Sequence, residues 1–189
     1  MATKKATKTV VKEKSFSKLT KAEKRVAIAK DVLKWIKVGM IHPEHDGYFE
    51  MDDKLKTKID SIEGKKELQE LLPGTTCNVC AKGALFIADI MKRDNFTTKN
   101  LSFIGNCTIV KRLDGIFSEN QLNLIETAFE KNVIHDNKDL LSYKDDEGYY
   151  HNSSLGQKAI DFGNKYDEPE ERLIAIMKNI IKNKGTFKP

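Results

Sequence analysis

Apolar residues recur along this chain at helical spacing in several separate stretches, with turn formers between them, so the pattern predicts a mainly helical body. The first stretch opens on Thr20, where TKAE offers a hydroxyl cap and a glutamate three residues later, which is the capping-box arrangement. A helix is expected from there to about Val38. Ala22, Val26, Ala29, Leu33, Ile36 and Met40 make its core-facing stripe, and Gly39 is its stop. HPEHDG then reads as turn chemistry, followed by a short aromatic strand or edge extension around Tyr48 and Phe49. Leu55, Ile59 and Ile62 form one further helical face closed by Gly64, and Leu68, Leu71 and Leu72 another closed by Pro73 and Gly74.

GTTCNVCAKGALFIADIMKRD predicts a central helix from about Cys77 to Lys92, capped by Thr75 or Thr76. The next apolar stretch, LSFIGNCTIVKRL, is readable as two short helices or as strand followed by helix, and a helix from about Cys107 to Leu113 is preferred. SENQ at Ser118–Gln121 is a second capping box, with Phe117 and Leu122 placed as a hydrophobic staple and Leu122, Ile125 and Phe129 along one face. Residues 132–164 are polar and read as loop, with a short helix near Leu155–Phe162. The last helix carries acids in its first turn and lysines in its last, aligned with the helix dipole, and buries Leu173, Ile176, Met177, Ile180 and Ile181 before Gly185 ends it. The fold class expected is a compact, single-domain helical bundle with irregular loops and room for one short β-hairpin.

Length and composition agree with one domain: 189 residues, of which 39% are hydrophobic, can close a single core. The net charge of +5 changes the picture only once it is located. Lys4, Lys5, Lys8, Lys12, Lys14 and Lys18 against Glu13 account for all of it, so residues 19–189 are formally neutral. Residues 1–18 are therefore expected to be a disordered basic tail, and 19–189 the folded domain. Through Lys4, Lys5, Lys8, Lys12 and Lys14 such a tail can bind nucleic acid without sequence preference. No stretch approaches the roughly 18 to 20 apolar residues that cross a bilayer, and three cysteines without an export signal suit the reducing cytoplasm.

Cys77 and Cys80 form CxxC, but no second ligand pair completes a zinc or iron-sulfur site, and His42, His45, His135 and His151 are scattered. Cys77 at a helix start could be an activated thiol. The same start could instead hold a small anion through free amides and hydroxyls at Thr75, Thr76, Cys77 and Asn78. The acids of YKDDEG read as a solvated turn, and the sequence calls for no metal, cofactor or catalytic set.

LTKAEKRVAIAKDVL, CNVCAKGALF and FSENQLNLIETAFE together resemble small accessory proteins of large tailed bacteriophages, over roughly residues 19–131. The resemblance implies a phage protein in the host cytoplasm and carries no known activity or catalytic residue. The expected function is thus a non-enzymatic binding protein that occupies a host protein, for instance a defence protein, or sequesters a small anionic ligand. Nucleic-acid association through the tail is the alternative, and a thiol enzyme using Cys77 the third. Oligomeric state is not legible in the sequence.

Overall fold

A computed structural model describes residues 15–45, 50–51, 77–93, 106–132, 141–147 and 149–189. Among these the fold is mainly helical. The helices are α1 (Lys21–Lys37), α2 (Ala81–Lys92), α3 (Asn106–Leu113), α4 (Glu119–Glu130), α5 (Ser154–Gly163) and α6 (Pro169–Lys182). Strands β1 (Ile41–Pro43), β2 (Glu50–Met51) and β3 (Cys77–Val79) form one small sheet, and β4 (Ser142–Lys144) with β5 (Tyr150–Asn152) a hairpin. Lys4, Lys5, Lys8, Lys12 and Lys14, the aromatic piece at Tyr48 and Phe49, and the helical faces expected over 55–72 lie outside the described residues. Within the expected tail, Phe16–Lys18 instead makes a single 3-10 turn, and Phe16 packs partly buried on the core.

Local capping places the helix starts where the sequence put them. Thr20 Oγ1 accepts the Glu23 amide at 3.2 Å and Glu23 Oε2 accepts the Thr20 amide at 2.7 Å, so two otherwise unpaired amides are satisfied. Ser118 and Gln121 repeat the arrangement at α4. Gly39 follows α1 with φ of 71°, a conformation glycine reaches without a Cβ clash. The buried face of α1 departs from the expected stripe: Ile28, Ala29, Val32 and Ile36 are buried, whereas Ala22, Val26 and Leu33 are half-buried. The helix packs against both α2 and α6, which widens and turns the arc it conceals.

The central helix begins later than expected. Cys77–Val79 is the middle strand of its sheet, parallel to β1 and antiparallel to β2, with Cys77 opposite Ile41 and Met51. Cys80 then occupies the N-cap of α2. Every residue of α2 from Ala81 to Ile90 is buried, because α1, α3, α4 and the sheet all pack on it. The polar stretch after Asn132 also holds more structure than loop, since β4 and β5 pair through it with Tyr143 opposite His151.

Two helices meet at a glycine. A Cβ on Gly163 of α5 would stand 2.1 Å from the Ala128 carbonyl oxygen of α4, so backbone rather than a flexible side chain blocks it. Gly163→Ala should therefore cost about 2 kcal/mol by forcing the helices apart. Gly39→Ala, which meets nothing within 4 Å, should cost about 1 kcal/mol through its positive φ alone. Urea unfolding followed by far-UV circular dichroism tests the order, and equal costs would mean that the α4–α5 approach yields easily.

Candidate functional site

The residues singled out by sequence separate in space. Cys77 is in a strand, and its amide donates to the Met40 carbonyl at 3.0 Å, so it is not a free donor at a helix start. Asn78 points to the opposite, exposed side of β3. The anion cradle expected at a helix start is thus not built by these two residues, and Thr75 and Thr76 lie outside the described ones. CxxC runs from strand β3 into the N-cap of α2, where a helix from Cys77 was expected, and Cys77 and Cys80 are 0% and 2% exposed. Burial pushes the Cys80 thiol up to about 12, with Glu126 and Glu130 adding to the rise and the Gly83 and Lys82 amides opposing it.

A thiol so placed lacks the thiolate that attack requires. Peptide-resolved alkylation at pH 8 should label Cys77 and Cys80 at least about a hundredfold more slowly than a model thiol. Labelling at the model rate would show the cysteines to be open to solvent.

Sequence reasoning missed the charges inside the body. Lys82 of α2 is buried against Glu126 of α4, and its Nζ also donates to Asn123 Oδ1 at 3.1 Å. Burial raises the Glu126 carboxyl above its ordinary value, and Lys82 draws it back. Asp89, also on α2, accepts from Arg93 Nε at 2.8 Å and Arg112 Nε at 2.9 Å. His45, read only as one of four scattered histidines, lies between Glu130 and Arg172. Arg172 can only donate, so His45 Nε2 accepts at 2.8 Å and Nδ1–H donates to Glu130 at 3.0 Å. Among the described residues no group of three or more histidines, cysteines and carboxylates is placed to hold a metal ion.

Among the described residues, a groove and a hairpin face present apolar or aromatic groups to solvent. A groove of about 400 Å³ runs between α4, α5 and the segment 186–189, with Leu124, Leu155 and Phe187 as its apolar part and Lys158 and Lys188 beside them. Asn179 pins its wall by donating to the Lys188 carbonyl and accepting the Lys188 amide. The second feature is the face of hairpin β4–β5. Tyr143 and Tyr149 are 56% and 66% exposed. The ring of His151 stacks on Tyr143 with centroids 5.3 Å apart, and its Nε2 meets Asp145 Oδ2 at 2.6 Å.

Cross-strand register explains why these groups share a face. Tyr143 is opposite His151, and the Asp145 amide continues the ladder to the Tyr149 carbonyl. Alternation then places Tyr143, Asp145, Tyr149 and His151 on one side. Asp145 also organises the turn by accepting the amides of Glu147 and Tyr149. The hydrogen bond from His151 holds its carboxyl below the usual range, helped by the Tyr149 amide. At the base, buried Leu141 accepts the amide of Ser153, the N-cap of α5. The sequence signal for this face was an aspartate-led turn with a tyrosine on either side, submerged in an otherwise polar stretch.

The chain matches no family model, no curated protein and no solved structure. Among the described residues no helix is long and apolar enough to cross a membrane.

Proposed function

We propose that the protein is a non-enzymatic binding protein, that it acts by occupying another protein, and that the hairpin β4–β5 is the face it uses. The observation that carries this reading is the exposure of Tyr143 and Tyr149 on one side of an anchored hairpin. Tyrosine supplies large amphipathic contact area at low entropic cost, and an exposed pair on a positioned scaffold is the composition of an interface centre. The resemblance of residues 19–131 to tailed-phage accessory proteins supplies the setting, a host cytoplasm in which a host protein, such as a defence protein, is the target. The hairpin lies beyond that stretch and supplies the contact. Solvent exclusion of Cys77 and Cys80 speaks against the thiol-enzyme alternative.

A photo-reactive phenylalanine analogue at position 143 tests the reading in bacterial host cells, with the same group at exposed Lys30 as control. A discrete adduct is expected from position 143 alone, and Tyr149→Ser should remove it. Identical adduct patterns from both positions, or none from 143, would reject the hairpin as the docking face.

The second reading, nucleic-acid association, rests on the concentration of lysine at Lys4, Lys5, Lys8, Lys12 and Lys14. Its signature would be binding that weakens steeply with salt and disappears when those lysines become glutamine.

A further inference from the structure

Resting on that reading, we infer that the segment received by the hairpin is cationic, a lysine- or arginine-bearing stretch of a partner protein. The exposed face presents two tyrosine rings and a histidine–aspartate pair, and the turn at its edge adds Asp146 and Glu147, both exposed. Three carboxylates against the single Lys144 make the tip acidic. Aromatic faces attract cations through their quadrupole, and guanidinium groups stack on them as well as pairing with carboxylates. Aromatic rings framed by carboxylates therefore match a cation that offers a flat or compact charge and an apolar stem. A phosphate-bearing partner would meet the same carboxylates as like charges, and an uncharged apolar one would gain nothing from their charge.

Asp145 strengthens the match because its charge is fixed in place. His151 and the turn amides hold that carboxylate, so it stays ionised throughout the physiological range and does not swing away from the rings. The hairpin is tied to the α5 N-cap through Leu141 and Ser153, so little ordering remains to be done on binding.

The test is a titration of isotope-labelled full-length protein, followed by amide chemical shifts. Its probe is a short blocked peptide in which arginine and lysine alternate with serine. A glutamate-for-cation version and an uncharged version of the same length are the controls. Saturable shifts confined to residues 141–152 are expected with the cationic peptide only. Affinity should fall about fivefold or more in Asp146→Asn with Glu147→Gln and in Tyr149→Ser, and weaken with added salt. Equal shifts with either control peptide would overturn the inference, as would a hairpin silent to the cationic peptide or shifts centred on the Leu124–Leu155–Phe187 groove. In each of those cases cross-linking from position 143 separates the failures. A retained adduct leaves the docking face standing with a different partner chemistry, and a lost one removes both.

Discussion

Arg172→Lys is expected to destabilise the folded protein by about 3 kcal/mol, a large share of the roughly 5 to 15 kcal/mol that holds a domain together. Arg172 is wholly buried and spends its fork on four partners. Nη1 donates to the Phe129 carbonyl and to His45, Nη2 to the Tyr166 and Asp167 carbonyls at 3.0 and 2.8 Å, and Nε to Tyr166 at 3.3 Å. Phe129 is in the last turn of α4, where carbonyls lack helical partners and the dipole favours a cation. One guanidinium thus caps α4, pins the chain between α5 and α6, and orients His45. An ammonium on a narrower stem cannot span these acceptors, so buried carbonyls would lose their donors. Burial lowers the Arg172 pKa, yet a guanidinium begins so high that it remains charged. Urea unfolding of Arg172→Lys beside Arg172→Met measures the effect. Full retention of stability by the lysine variant would show that charge alone, without the planar fork, suffices.

Lys82→Met should cost about 3 to 5 kcal/mol at neutral pH, because it strands Glu126 inside the body. Lys82 is 0% exposed and Glu126 2%, so neither charge has bulk water to fall back on. Replacing both, as Lys82→Met with Glu126→Leu, should recover most of the loss, since an apolar pair avoids the desolvation that an ion pair bears. The deficit of the single variant should also depend on pH. Glu126 already has a raised pKa in the folded state, with burial the leading cause, so the fold holds its proton more tightly than the unfolded chain does. Stability from such a group is fully present below the unfolded value and lost as pH rises towards the folded one. Without Lys82 the folded value rises further, so the loss should be greatest near neutrality and shrink as pH falls to the ordinary carboxyl range. A deficit below about 1 kcal/mol, constant with pH, would mean that water reaches the pair.

Both predictions concern groups whose importance the linear sequence does not display. Arg172 stands in an acidic first turn and reads as an ordinary solvent-facing helix residue, and Lys82 reads as one polar position in an apolar helix. Phe129 and His45, which Arg172 bonds, and Asn123 and Glu126, which Lys82 meets, all lie far away in the chain.

By itself the sequence determined what local chemistry controls. The caps at Thr20 and Ser118, the stop at Gly39, the helices over 106–113 and 154–163 and the apolar face of α6 all follow from interactions within a few residues. Tertiary structure decided the rest. Strands of two or three residues have too few side chains to show a period, and they persist because partners elsewhere pair with them. Cys77 is a strand residue because Ile41 and Met51 flank it, not because of its neighbours in sequence. The same holds for the candidate site. Tyr143, Asp145, Tyr149 and His151 are scattered over a polar stretch, and only cross-strand pairing collects them onto one exposed face.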